Sequence, residues 1–254
     1  MTPIDGEGKR VPRRSILVLG VLAAMTTVAP CDAGPPTTPP AADLAPARAR
    51  LLDALRQEGI RDTRVLDALA RVPREAFVRP EDRPRAYDNH ALPIAAGQTI
   101  SQPNVVALMT ELLELRGGER VLEVGTGSGY QAAVLACLVG DVYSIEIEPT
   151  LADSARQRLQ RLGVSNVQVR TGDGFFGWPD AAPFDAIIIT ATAPRVPERL
   201  VEQLKPDGRL VMPLDEGYQQ TLIRARKRPD GLAIERVAGV LFVPMVGAVR
   251  RPTP

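Results

Sequence analysis

The run Val121-Leu-Glu-Val124 leads straight into Gly125-Thr-Gly-Ser-Gly129, and this junction constrains the chain more than any other stretch. An apolar segment of strand character enters a glycine-rich turn. Tyr130-Gln-Ala-Ala-Val-Leu-Ala-Cys-Leu-Val139 then continues as a buried helix. Glycine lets backbone turn sharply and approach a ligand where a side chain would collide. The unpaired amides at the start of the following helix favour polar or anionic groups. The next apolar run, Val142-Tyr-Ser-Ile145, ends on Glu146. An α/β nucleotide site places a carboxylate there to accept from ribose hydroxyls. The pattern predicts an α/β fold that binds an adenosine-containing cofactor.

The dinucleotide fingerprint is Gly-x-Gly-x-x-Gly. Here the spacing is Gly125-x-Gly127-x-Gly129, and Tyr130 occupies the third-glycine position. With Glu123 before it and Glu146 after it, the segment resembles the first motif of class I S-adenosyl-L-methionine (AdoMet)-dependent methyltransferases.

Strand and helix patterns alternate from Arg120 onward. Strands are expected at Val121–Val124, Val142–Ile147, Val167–Arg170, Ala186–Thr190 and Arg209–Met212. Helices are expected at Tyr130–Val139, Leu151–Leu162 and Glu198–Leu204. This order predicts a doubly wound, mostly parallel sheet, Rossmann-like in class. Ile187-Ile-Ile189 is apolar throughout, as in a strand covered on both faces. Before it, Ala47–Glu58, Thr63–Arg71 and Asn104–Leu115 carry helical apolar spacing. Pro73–Gln98 is loop-rich, broken by Pro73, Pro80, Pro84 and Pro93. After it, Thr221–Lys227, Pro229-Asp-Gly231 and Leu232–Val243 read as a β-hairpin.

The chain has 254 residues, 44% hydrophobic and 24% charged, which suits one domain with a sizeable core. We expect that domain at 47–250, after a separate segment, 1–46. A net charge of +1 and 4% aromatic residues give no nucleic-acid footprint. Two cysteines, Cys31 and Cys137, and a single histidine, His90, cannot supply a Cys/His zinc site, and no metal is expected. Cys137 reads as a small buried apolar residue. His90 reads as structural or loop-exposed. Lys9, Arg10, Arg13 and Arg14 precede the apolar run Ile16–Ala24, which resembles a secretory signal too short to span a bilayer. Arg13-Arg14 also permits a twin-arginine reading, and Cys31-Asp-Ala33 a small-residue cleavage site. A Pro-rich linker, Pro35 to Pro46, follows.

Several further blocks, Ala91–Ile94, Gly97–Pro103, Gly172–Gly174 and Phe242–Met245 among them, stand in an order that resembles one family, protein-L-isoaspartate (D-aspartate) O-methyltransferase. Ala91-Leu-Pro-Ile94 and Gly97-Gln-Thr-Ile-Ser-Gln-Pro103 resemble its signature segment, and Val121–Gln131 its glycine motif. Gly172-Asp-Gly174, Ala182–Ala186, Thr190-Ala-Thr-Ala-Pro194, Leu204–Leu210 and Phe242-Val-Pro-Met245 resemble its later motifs. The resemblance runs from about Leu51 to Val246. The N-terminal extension departs from the family pattern, as does Thr192, where a small Ala or Pro is common.

The resemblance implies methyl transfer from AdoMet to the free carboxylate of L-isoaspartyl and D-aspartyl residues in damaged proteins. The ester then closes to a succinimide that hydrolyses partly to aspartate. It implies Gly125, Gly127 and Gly129 beside the methionine part of the cofactor, and Glu146 on the ribose. It places Asp173, beside Gly174, on the adenine amino group, and Thr99, Ile100 and Asn104 in the pocket lining. Ser101 matches the family's active-site serine and would orient the acceptor carboxylate; the plainer role for it is capping the helix near Pro103. For Asp173 the plainer role is an Asx turn. Glu123 is expected to fix the glycine turn, Asp185 and Trp178 to be structural. Thr190–Pro194 and Phe242–Met245 are the expected acceptor-binding segments.

Three other readings compete. A small-molecule methyltransferase is opposed by the Gln98–Pro103 and Phe242–Met245 blocks. An exported binding protein without catalysis is opposed by the presence of Glu146, Asp173 and Ser101. A dinucleotide enzyme is opposed by the glycine spacing. AdoMet is made in the cytosol, so cytoplasmic action of a monomer without membrane association is expected, with Met25 as a candidate internal start. Export to the periplasm through residues 13–33 is the alternative.

Overall fold

The computed structural model describes residues 43–250. The signal-like run, Cys31, Met25 and the linker up to residue 42 lie outside the described residues.

Three helices come first: α1 (Ala45–Gln57), α2 (Thr63–Arg71) and α3 (Pro103–Glu111). The linker was expected to reach Pro46, yet α1 begins at Ala45 and takes Pro46 into its first turn. A proline fits there because that amide has no helical partner. Asp62 caps α2 by accepting from the Arg64 amide at 2.9 Å. Val65, Leu66 and Leu69 face inward, as the periodicity predicts. The loop-rich stretch holds three 3₁₀ segments, Arg74–Ala76, Pro80–Arg85 and Ala95–Gly97, and a short strand β1 (Leu92–Pro93). β1 pairs antiparallel with β2 (Thr99–Ile100), so the signature block starts from a small ladder and enters α3 at Pro103.

The main sheet has seven strands: β3 (Arg120–Val124), β4 (Asp141–Glu146), β5 (Val167–Thr171), β6 (Phe184–Ile189), β7 (Leu204–Asp215), β8 (Gln220–Arg228) and β9 (Gly231–Val240). Their order is β5-β4-β3-β6-β7-β8-β9, parallel from β5 to β7 and antiparallel beyond. Helices α4 (Tyr130–Ala136), α5 (Pro149–Arg161) and α6 (Glu198–Glu202) cover it. Successive strand residues point to opposite faces. Val121, Ala186, Ile188 and Val211 accordingly pack in one core with α1–α4. Leu122, Val124, Ile187, Ile189 and Leu210 pack in a second core with α6. Each fully buried isoleucine of β6 contributes about 1.5–3 kcal/mol.

The expected doubly wound sheet is present, with corrections at its C-terminal half. β7 was expected only at Arg209–Met212 and α6 as far as Leu204. Pairing instead resumes on both sides of an irregularity, with Phe184 opposite Leu204 and Ala186 opposite Arg209. Within it Asp207 takes φ 61°. Asp185 lies inside β6 and not before it. The expected hairpin forms around the two-residue turn Pro229-Asp230, with Arg228 opposite Gly231. β8 also pairs antiparallel with β7, giving a three-stranded meander. The last strand stops at Val240 rather than Val243, because the following residues return to the parallel half.

The chain runs outward through β3, β4 and β5, then crosses back to place β6 on the other side of β3. Ligands of open α/β sheets bind outside the carboxyl ends of the strands at such a reversal.

Candidate active site

A cleft sits at that reversal. Gln98–Ser101, Gly125–Ser128, Glu146, Gly174, Thr190, Ala191 and Leu241–Val246 all line it. These segments come from six separate parts of the chain.

The three glycines do different jobs. Gly125 takes φ 101°, and a Cβ there would overlap Thr190 Oγ1. Thr190 uses that space to donate to the Gly125 carbonyl at 2.7 Å. This bond ties the end of β3 to the end of β6. Gly127 takes φ 52° and its amide donates to Glu146 Oε2 at 2.7 Å. That amide is therefore aimed at Glu146 and not at a methionine group. Gly129, at φ 86°, does not line the cleft: a Cβ would stand 3.1 Å from Ala155 Cβ, so it lets α5 close on the turn.

Glu146 is buried at the end of β4, and its second oxygen accepts from the Glu148 amide at 3.0 Å. Each oxygen carries one amide bond and keeps a lone pair for a hydroxyl donor. Behind it Glu123 is fully buried. Its Oε2 takes a short bond from Ser144 Oγ, which in turn meets Thr126 Oγ1 at 2.6 Å. Glu123 thus supports the turn through two hydroxyls, as its position before the glycines suggests. Burial pushes its carboxyl up to about 8, the Ser144 bond opposes this, and the Glu146 charge adds to it.

Thr99, Ile100 and Ser101 line the cleft. Gln102, not Ser101, is the residue capping α3, and it makes no side-chain cap bond. The plainer capping role for Ser101 is thereby overturned. Asn104 is turned away from the cleft. Its amide group bonds Glu58 at the end of α1, and its backbone amide donates to Asn89 Oδ1 at 3.0 Å. Within the first turn of α3, the side chain faces the helix layer.

Asp173 is occupied as well. Oδ1 accepts from the Phe175 amide at 2.9 Å, and Oδ2 from the Ala248 amide at 2.7 Å. The Asx turn is real, and the second bond ties down the chain after β9. Gly174 does line the cleft, and a Cβ there would overlap Val124.

The two expected acceptor segments lie side by side. Thr192 donates its amide to Val243 (2.9 Å) and accepts from Met245 (2.7 Å). Gln220 clamps Phe242 from both ends, accepting from its amide at 2.6 Å and donating to its carbonyl at 3.2 Å. Ile147, Leu241 and Val246 leave apolar surface exposed around the mouth.

His90 lies outside the cleft, with Nε2 2.6 Å from Arg85 Nη2. Trp178 lies outside it too, under the Arg170 guanidinium at 4.3 Å from the ring centroid. Cys137 is buried at the C-terminal end of α4. Asp185 accepts from the Arg120 amide (2.9 Å) and Lys205 Nζ (2.7 Å), a structural tie. Among the described residues, no three His, Cys, Asp or Glu side chains gather as metal ligands. No helix among them is long and apolar enough to cross a membrane.

The sequence reading passed over Arg74. Its side chain is wholly buried; Nε donates to the Ala86 carbonyl (2.7 Å) and Nη2 to the Ser101 carbonyl (2.8 Å). An arginine between prolines in a loop-rich stretch reads as solvated, and no local pattern marks it otherwise.

Residues 47–250 match the family model described as Protein-L-isoaspartate(D-aspartate) O-methyltransferase. Curated relatives of that description are similar over most of the chain. Protein-L-isoaspartate O-methyltransferase 2 of Nitrosococcus oceani is 55% identical over 187 residues, 73% of this chain and 85% of the relative. The Halorhodospira halophila protein is 57% identical over 201 residues, 78% and 91% of the two chains. Among solved structures, a protein-L-isoaspartate O-methyltransferase superposes with a TM-score of 0.73 at 31% identity, covering 80% of this chain and 67% of that one. The Plasmodium falciparum putative enzyme, solved with S-adenosyl-L-homocysteine, gives 0.68 at 25% identity, covering 78% and 98%. With the cleft at the sheet reversal, the glycine turn and the signature block both lining it, the chain belongs to the protein-L-isoaspartate O-methyltransferase family.

Proposed function

We propose that the cleft binds AdoMet and that the protein methylates the free carboxylate of L-isoaspartyl and D-aspartyl residues in damaged proteins. One observation carries this reading: the cofactor turn, the Gln98–Ser101 block and the paired segments around Thr192 and Val243 converge on a single cleft.

The walls fit the cofactor. Gly127 leaves the floor without a side chain, and Gly174 lies flat where a Cβ would strike Val124. Glu146 keeps acceptor capacity beside them. We assign Glu146 to the ribose hydroxyls, and Gly125, Gly127, Gly174, Thr99 and Ile100 to the surrounding wall. Gly129, Asp173 and Asn104 support that wall from behind. Bound AdoMet supplies an electrophilic sulfonium methyl.

The acceptor carboxylate has a reference pKa near 4 and arrives ionised, so the chain needs no general base. Its residues have to align the carboxylate and keep water out. Ser101 supplies a hydroxyl donor on the cleft wall. The exposed apolar residues Leu241, Pro244 and Val246, with no charged group among them, suit an acceptor whose damaged site occurs in many sequence contexts. Succinimide closure follows in the product without the protein.

We further read 47–250 as the single catalytic domain of a cytoplasmic monomer without a nucleic-acid partner. The near-neutral charge and the cytosolic origin of AdoMet support this. The test is transfer of labelled methyl from AdoMet to an isoaspartyl peptide, with the aspartyl peptide as control. Base-labile label on the isoaspartyl peptide alone is expected. Equal labelling of both, or none by a folded protein that binds AdoMet, would overturn the acceptor assignment.

A further inference from the structure

Arg74 is a fully buried cation, a costly placement for a guanidinium. Buried guanidinium groups ordinarily face a carboxylate. Among the described residues no Asp or Glu lies within ion-pair distance of Arg74; its Nη1 makes no well-formed hydrogen bond, and Tyr130 is the side chain that interacts with the guanidinium. The adjacent Glu75 is taken by Tyr87 Oη at 2.5 Å and Arg48 at 3.4 Å.

Two of the contacts Arg74 makes go to residues that line the cleft, Ser101 and Tyr130. Nη2 donates to the Ser101 carbonyl at 2.8 Å, and Nε to the Ala86 carbonyl at 2.7 Å. Its Cζ stands 5.0 Å from the centroid of the Tyr130 ring. Tyr130 is also braced by Phe77, 5.1 Å between centroids, so it does not depend on Arg74 alone. Ser101 precedes a helix start that has no side-chain cap, and the Arg74 bond is what the structure provides to hold its main chain.

We propose that Arg74 is the positioning residue for the methyl acceptor, fixing the Ser101 main chain and setting a buried positive charge behind the wall the acceptor carboxylate approaches. The inference rests on the carboxylate acceptor proposed above. A neutral side chain with two donors would serve as a brace. An uncompensated charge in a low-dielectric wall is useful when an anion completes the pair.

The test compares the full chain with Arg74→Lys and Arg74→Gln. Three quantities are read: the thermal midpoint, AdoMet affinity by calorimetry, and kcat and KM for an isoaspartyl peptide. AdoMet affinity should stay within about twofold, because Tyr130 keeps its Phe77 contact. Peptide kcat/KM should fall about 10- to 100-fold in Arg74→Gln, and Arg74→Lys should recover part of that loss by restoring the charge. Should Arg74→Gln not fold, Arg74→Lys carries the comparison with the unaltered chain. Unchanged kcat/KM in the folded variants, a parallel loss of AdoMet affinity, or unfolding of both variants would each overturn the proposal. Failure of the unaltered chain to methylate the peptide while binding AdoMet would overturn the acceptor reading itself, an outcome distinct from all three.

Discussion

Replacing Glu123 by Gln isolates the most perturbed carboxyl at the cleft. Glu123 is fully buried, bonds Ser144 through Oε2 and leaves Oε1 without a partner. Its carboxyl is pushed from 4.5 up to about 8, chiefly by burial. Below pH 4.5 the folded and unfolded chains are both protonated there, and the group has no effect on stability. Between 4.5 and 8 the unfolded chain is ionised while the folded one stays protonated. Folding then takes up a proton, and stability falls as pH rises. Above 8 both are ionised and the loss is complete. The gap between 4.5 and about 8, at about 1.4 kcal/mol per pH unit, corresponds to about 5 kcal/mol. Gln has nearly the same volume and can bond Ser144, so near pH 5 the variant should match the unaltered chain within about 1 kcal/mol. From pH 5 to 8 the variant should gain about 1.4 kcal/mol per pH unit relative to it. Urea unfolding at pH 5, 6, 7 and 8, followed by fluorescence of the single tryptophan, Trp178, measures this difference. Groups common to both proteins cancel. A difference that stays flat across that range would mean the folded carboxyl ionises normally, and the argument from burial would fail.

Two further substitutions test the walls of the cleft. Gly125→Ala forces a side chain onto φ 101° and against Thr190 Oγ1; it should cost at least about 2 kcal/mol of stability and weaken AdoMet binding at least about tenfold, and calorimetry showing unchanged affinity would refute the close approach. Thr192 carries a buried hydroxyl with no partner, so Thr192→Ala should leave stability unchanged or raise it by up to about 1 kcal/mol. A clear drop in thermal midpoint would show that the hydroxyl is satisfied.

Local physics made the cofactor half of this protein legible. A strand entering three glycines, two of them needed where backbone φ is positive and packing is tight, is a short-range requirement written in consecutive residues. The same holds for the continuous apolar strand Ile187–Ile189, whose burial on both faces demands a parallel sheet with helices above and below. Gly125, Gly127, Glu146, Gly174 and Ser101 could therefore be placed beside the cleft from sequence and family motifs alone. The direction of each remaining side chain depended on partners far along the chain. Asn104 turns to Glu58, 46 residues away, and Asp173 to Ala248, 75 residues away. Arg74 reaches Ser101 across 27 residues, and nothing in its Pro-rich surroundings announces a buried charge. Periodicity reports which face of an element is apolar, whereas a buried polar atom goes wherever the fold brings a donor or acceptor within about 3 Å. Sequence determined the sheet, the turn and the ligand class; only the tertiary structure decided which polar groups face the cleft and which are spent holding it together.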